Sequence, residues 1–200
     1  MAERVRPVTE KEKPIVVGIP RGGVVVAAVI AQSLHLPLDV VIVKKIPSLH
    51  NPEFAIGAVG EDKIIYWEER AVKRFEIDAA MKQHLADEVY DLVAKREAQI
   101  SMRFHRMKLR GKNVLLVDDG IATGATVKCA VQVLQKHGAK HITIVTPVTA
   151  EEVAREIQKE GVEVIALHIA SEFSSVGEFY QYFQQVSDEE VLELLSASTK

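Results

Sequence analysis

Val114-Leu115-Leu116-Val117-Asp118-Asp119-Gly120-Ile121-Ala122-Thr123-Gly124-Ala125-Thr126 is the stretch that decides how this chain folds. Four consecutive apolar residues predict a buried strand, and the strand delivers two adjacent carboxylates to its carboxyl end. That end is where open α/β sheets bind ligands. The following turn feeds a helix whose first amides have no partner within the helix. Those amides, the hydroxyls of Thr123 and Thr126 and the positive end of the helix dipole form a cradle for a phosphate monoester. Gly124 lets the backbone approach closely. Carboxylates accept hydrogen bonds and repel phosphate, so Asp118 and Asp119 are expected to grip hydroxyls. A ligand with a diol on one side and a phosphate on the other is a ribose 5-phosphate.

Outward from this stretch the apolar period alternates between strand and helix. Before it, Ile15 to Ile19 predicts a strand, Gly22 to Leu34 a helix and Leu38 to Val43 a second strand. Ala55 to Val59 and Lys63 to Trp67 predict a hairpin with Glu61 and Asp62 at its turn. Met81, Leu85, Val89, Leu92 and Val93 recur every three or four residues, predicting a long helix from about Asp78 to Met102. After the strand Asn113 to Val117 comes a helix from Thr123 to His137, closed by Gly138. A strand His141 to Thr146 and a helix Ala150 to Glu160 follow. The next strand, Val162 to Ile169, has an apolar continuity that predicts burial on both faces. Such alternation specifies an α/β fold, a parallel sheet flanked by helices. An aromatic segment follows (Phe173, Phe179, Tyr180, Tyr182, Phe183), then a short acidic helix, Asp188 to Leu195.

The 200 residues are 48% hydrophobic and 26% charged, with 11 Gly and 7 Pro, which excludes a disordered or low-complexity chain. One domain over residues 1–200 is the expectation. Cys129 is the single cysteine, so an intrachain disulfide framework is excluded and a reducing cytosol fits. Alternating charges from Glu3 to Lys13 are unlike a secretion signal, and the longest apolar block, Val24 to Ala31, is too short to span a bilayer. A cytoplasmic protein with no membrane partner is expected. A net charge of -3 and no helix-turn-helix pattern argue against nucleic acid. Charge is concentrated, however: Lys95, Arg96, Arg103, Arg106, Lys108, Arg110 and Lys112 face the single acid Glu97, which suggests a polyanion site. For Arg103 and Arg106 the alternative is the surface end of a helix.

Gly18-Ile19-Pro20-Arg21-Gly22-Gly23 ends the first strand and opens the first helix, a second place where bare amides and a cation can meet an anion. It is neither the dinucleotide fingerprint nor a Walker loop. Lys44 and Lys45 leave the second strand and run into Ile46-Pro47-Ser48-Leu49-His50-Asn51-Pro52-Glu53. A solvated pair is the alternative there, because successive strand residues face opposite ways. The seven histidines show no paired metal-ligand spacing, and His50 stands out only for its place in this loop.

Four apolar residues, two acids and Thr-Gly-x-Thr make Val114 to Thr126 similar to the phosphoribosyl diphosphate (PRPP) signature of the type I phosphoribosyltransferases. Pro20 to Gly23, Asn51 to Ala58 and Asp118 to Thr126 resemble a subgroup with Pro-Arg-Gly-Gly, Asn-Pro-Glu-x-Ala-Ile-Gly-Ala and Asp-Asp-Gly-Ile-Ala-Thr-Gly-Ala-Thr motifs. The resemblance covers about Val16 to Leu195. It implies a type I phosphoribosyltransferase-like core with a small hairpin and a C-terminal aromatic hood. Asp118 and Asp119 would hold the ribose hydroxyls, and Ala122, Thr123, Gly124, Ala125 and Thr126 the 5-phosphate. Arg21, Gly22, Gly23 and Lys44 would hold pyrophosphate, with the loop after Lys45 closing as a lid. Asp118, Asp119 and Arg21 would carry the catalysis, with Mg²⁺ bound through PRPP.

The resemblance further implies a homodimer that transfers 5-phosphoribosyl from PRPP to a small nitrogenous acceptor; a noncatalytic PRPP sensor is the alternative. Ala122 stands where hypoxanthine-guanine enzymes carry an aspartate, and no N-terminal cysteine is present for glutamine-dependent transfer. Relatives of this kind usually have an extra N-terminal helix, for which this chain offers only Met1 to Lys13. A receiver domain, which also opens on an apolar strand ending in two acids, is disfavoured. Too few residues follow Asp118, and Thr-Gly-x-Thr is foreign to its acidic loop.

Overall fold

Ile15–Gly18 forms β1, four uncharged and buried residues that lead through Pro20 and Arg21 into α2 (Gly22–Leu34). A computed structural model describes residues 1–9, 13–48 and 55–198; the expected lid residues His50, Asn51, Pro52 and Glu53 lie outside them. The strand expected over Leu38 to Val43 is in fact divided. β2 (Leu38–Val40) pairs in parallel with β1, whereas β3 (Val43–Pro47) belongs to a second sheet. Between them the Val41 amide donates to the Gly18 carbonyl at 3.1 Å and the Ile42 amide to the Glu61 carboxylate at 2.7 Å. The chain therefore changes sheets while its side chains stay buried, so hydropathy registers no break.

The second sheet is antiparallel, in the order β3-β4-β5, with β4 at Ala55–Gly60 and β5 at Ile65–Trp67. A short helix, α3 (Glu69–Arg74), which the sequence reading did not anticipate, precedes α4 (Ala79–Ser101). Asp78 caps α4 by accepting from the Met81 amide at 2.8 Å. β6 (Asn113–Val117), α5 (Ala125–Lys136), β7 (His141–Ala150), α6 (Glu151–Lys159) and β8 (Glu163–Ala170) complete the main sheet, and α7 (Asp188–Ala197) follows. The main sheet is parallel, in the order β2-β1-β6-β7-β8.

The layers follow from the side-chain alternation of the strands. On one face Val16, Leu115 and Val117 pack with Val5, Ile30 and Leu195; on the other Val17, Leu116 and Ile144 pack with Leu134 and Ile157. Full burial of such side chains contributes about 1.5–3 kcal/mol each. The small sheet lies between two helices: Val43 and Ala58 share the core of α5, while Ile46, Ile56 and Val59 pack with Leu85, Ala86 and Val89 of α4.

Several expectations are corrected. Val5 is buried in a helix, α1 (Ala2–Thr9), so the N-terminal segment does supply a short helix against the sheet. β8 is not buried on both faces: it is the sheet's edge, leaving Leu167 48% and Ile169 51% exposed. Three of the seven cations of the basic segment are paired with acids of the chain. Arg96 pairs with Asp188 at 2.8 Å, and Arg103 makes two bonds to Glu189, at 2.7 and 2.8 Å. Arg106 is structural. Its Nε donates to Asp39 at 2.8 Å, Nη1 to Glu61 at 3.1 Å and Nη2 to the Val40 carbonyl, which ties the two sheets where the chain crosses between them.

Candidate site at the carboxyl ends of β1 and β6

Asp118 and Asp119 follow β6 directly, and the chain then runs along the extended end of β7. The Ile121 amide donates to Val148 at 2.9 Å and the Ala150 amide to Ile121 at 3.0 Å. β7 reaches Ala150 rather than stopping at Thr146 because its pairing with β8 continues through Ala150, and Ile121 adds a bridge on the other side. Gly124, at φ 79°, turns the chain left-handed into α5, a conformation that favours glycine. Ala122 and Thr123 lie exposed just before the helix, and Thr126 is half-buried in its first turn. Asp118, Gly120, Ile121, Ala122, Thr123, Gly124, Thr126 and Val127 line a cavity of about 120 Å³ together with Lys45 and Ala55. The residues expected to hold a phosphate thus line a hollow at the start of α5.

The glycine loop lies directly against the acid pair. A Cβ on Gly22 would come within 1.8 Å of Asp119 Oδ2, and one on Gly23 within 2.7 Å of the Val117 carbonyl and 2.9 Å of Asp118 Cα. The glycines are there because nothing larger fits between the two strand ends. Arg21 is exposed at the start of α2. Pro20 and Arg96 border a cleft of about 370 Å³ between α4 and α7. Lys44, on β3, has its pKa lowered first by burial, then by the charges of Arg96, Arg21 and Lys45, with Asp188 opposing. The charge of Arg21 is thus felt at Lys44. Arg96 joins them, a neighbour the spacing of the sequence could not reveal.

Burial and the neighbouring Asp119 hold the Asp118 carboxyl well above the usual carboxylate range, and burial raises Asp119 as well. The Asp119 amide donates to Asp118 Oδ1 at 3.0 Å. An acid whose pKa is raised on folding binds more protons folded than unfolded, so its contribution to stability is present below the unfolded pKa and is lost as pH rises through the folded value. Asp118→Asn should therefore raise the thermal midpoint of the ligand-free protein at pH 7–8, with about 2–4 °C expected for each kcal/mol in a chain this size. The difference should shrink toward pH 4. Thermal denaturation of both proteins across that range checks it, and a variant that melts lower at pH 8 than its parent contradicts it.

The C-terminal segment closes over the same loop. The Tyr180 hydroxyl donates to the Asp119 carbonyl at 2.6 Å, and Val176 occupies the space that a Gly120 side chain would need, at 2.4 Å. Burial, then Asp119 and Asp118, pushes the Tyr180 phenol up to about 12, so it keeps its proton and its donor role at neutral pH. Phe173 and His168 flank Phe179 with ring centroids 5.1 and 5.5 Å away. The aromatic cluster was legible in the sequence. The attachment through Tyr180 was not, since nothing distinguishes it from Tyr182, which is 85% exposed.

Two glycine-lined strand ends, an acid pair and the start of a helix meet at one edge of the main sheet. Residues 1–182 match the phosphoribosyl transferase domain, and the chain belongs to that family. It is 36% identical over 181 residues, 90% of its length, to a Mycobacterium tuberculosis protein named "Putative phosphoribosyl transferase Rv0571c". The chain spans about two-fifths of that relative's length, 41%. Its fold is similar to the crystal structure of TT1426 from Thermus thermophilus, with a TM-score of 0.79 and 37% identity over 97% of this chain and 91% of that one. A shorter stretch, 69 residues or 34% of this chain and 38% of the relative, is 42% identical to an orotate phosphoribosyltransferase of Pyrococcus abyssi. Among the described residues no helix is long and apolar enough to cross a membrane.

Proposed function

We propose that this protein transfers the 5-phosphoribosyl group of PRPP to a small nitrogenous acceptor and releases pyrophosphate. The observation that carries this reading is the contact of Gly22 and Gly23 with Asp119 and Asp118. With Arg21 on that loop and the hollow at the start of α5 beyond the two carboxylates, the contact supports a ligand ordered as PRPP is: pyrophosphate, diol, 5-phosphate. Asp118 and Asp119 take the ribose hydroxyls, Ala122 through Thr126 the 5-phosphate, and Arg21, Gly22, Gly23 and Lys44 the pyrophosphate.

In the reaction the bond from the anomeric carbon to pyrophosphate oxygen breaks and the oxygen keeps the electron pair. The acceptor nitrogen bonds that carbon and loses its proton to solvent. Arg21 and Lys44 offset the charge growing on the leaving group, and the acid pair holds the ring in place. Asp118 and Asp119 are hard oxygen donors suited to Mg²⁺, and two carboxylates fit an ion whose remaining oxygens come from the ligand. When bound, Mg²⁺ would supply charge stabilisation on the departing pyrophosphate. The aromatic segment from Phe173 to Phe183, held over Asp119 by Tyr180, is the surface available to a planar acceptor.

Calorimetric titration with PRPP and Mg²⁺, followed by mass-spectrometric detection of pyrophosphate across a panel of nucleobases and amines, tests the reading. Binding with release for one acceptor supports transfer, binding without release across the panel points to a PRPP sensor, and no binding removes both. Within the site, Arg21→Ala should weaken PRPP and pyrophosphate by about tenfold or more while leaving ribose 5-phosphate nearly unchanged. Thr126→Val should show the opposite preference. Equal damage by Arg21→Ala to ribose 5-phosphate and PRPP, in a folded protein, would contradict the two-ended site.

A further inference from the structure

Resting on the reading above, we propose that Lys45 binds the 5-phosphate while its neighbour Lys44 serves the pyrophosphate end, so that β3 supplies one cation to each end of a single ligand. β3 lies between α5 and α4, and successive strand residues point to opposite faces. Val43 packs into the core shared with α5 and Ile46 into the core shared with α4. By that alternation Lys45 falls on the α5 side and Lys44 on the α4 side. Their partners across the ladder agree: Lys45 pairs with Ala58, which packs with the α5 core, and Lys44 with Val59, which packs with the α4 core.

Each lysine meets a different part of the site. Lys45 lines the cavity of about 120 Å³ formed by Ala122, Thr123, Gly124 and Thr126 at the start of α5. Lys44, placed on the α4 side by its pairing with Val59, feels the charges of Arg96 of α4 and Arg21 of the glycine loop. A phosphate monoester carries close to two negative charges, whereas the amides and threonine hydroxyls of the cradle carry no net charge. Asp118 lines the same cavity and repels the phosphate. A lysine there offsets that repulsion and makes a 5-phosphate, rather than a bare ribose, a condition of binding. The sequence alone leaves the two lysines indistinguishable; the exchange of β3 into the second sheet is what sends them to different ends.

The test is calorimetric titration of the full chain with ribose 5-phosphate and, separately, with pyrophosphate and Mg²⁺, for the parent, Lys45→Met, Lys45→Gln, Lys45→Arg and Lys44→Met. Both neutral Lys45 variants should lose about tenfold or more in ribose 5-phosphate affinity and stay within about twofold for pyrophosphate. Lys45→Arg should retain most of the affinity, and Lys44→Met should show the reverse pattern. Circular dichroism confirms that each variant is folded; the side chain is exposed, so loss of fold is not expected. Parent-like ribose 5-phosphate binding in either folded neutral variant overturns the assignment, as does equal weakening of both ligands. A parent chain that binds neither ligand overturns the ribosyl-transfer reading itself.

Discussion

Arg106→Met should cost the fold about 3–5 kcal/mol, the range for removing one partner from a buried ion pair. At roughly 2–4 °C per kcal/mol the thermal midpoint should fall by about 6–20 °C. The size follows from what would remain. Asp39 is fully buried and Glu61 nearly so. Asp39 still accepts from the Val40 and Met107 amides, each at 2.8 Å, and Glu61 from the Ile42 amide at 2.7 Å, but neither would keep a counter-charge. Adding Asp39→Asn and Glu61→Gln should recover part of the loss, because it is the uncompensated buried charge that destabilises. Arg103→Met is the contrast. That pair with Glu189 has both side chains more than half exposed, at 53% and 59%, so the variant should melt close to the parent. Thermal unfolding of the three variants checks the scale, and parent-like melting of Arg106→Met would show the network to be dispensable.

Gly22→Ala should lower PRPP affinity by about 100-fold or more while leaving the fold nearly intact. The new methyl would stand 1.8 Å from Asp119 Oδ2 and 2.6 Å from its Cγ, so the carboxylate has to rotate away. Rotation of a partly buried side chain is a local adjustment. In the proposed binding mode the bonds it would remove are charge-assisted ones to the ribose hydroxyls, at about 1.5–3 kcal/mol each, and every 1.4 kcal/mol is a factor of ten in affinity. Calorimetry with PRPP, beside a melting curve, separates the effects. Parent-like affinity in Gly22→Ala would mean that Asp119 does not hold the sugar in its observed orientation.

Much of this was readable from residue order because the informative stretches are local. Gly22 to Leu34 and Asn113 to Val117 fall where the apolar pattern puts them, since helix and buried strand each leave a period in consecutive residues. The acid pair, the threonine cradle and the glycine loop are likewise short and contiguous. What escaped is long-range. The partners of Arg106 lie 67 and 45 residues away, so its charge read as a possible anion site when it is consumed inside the fold. The change of sheet between Val40 and Val43 breaks no hydrophobic run, because both sheets face the same kind of interior. The exposure of Leu167 and Ile169 follows from β8 being last in the sheet, which is a property of strand order and not of composition.

Under the proposed transfer reaction, the packing around Gly120 divides the positions open to redesign into two sets. Residues 22, 23, 118–120, 176 and 180 interlock through backbone contacts, a filled methyl-sized gap and the bond from Tyr180 to the Asp119 carbonyl. In a combinatorial library each is tied to its counterpart: bulk added at 120 has to be removed at 176. Phe183 is bound to that interlock by its ring, 5.1 Å from that of Tyr180, whereas Phe173, Phe179 and Tyr182 lie outside it, so diversity belongs at those three. A useful library is therefore a narrow one, built on the outer side of the aromatic segment and silent on its inner side.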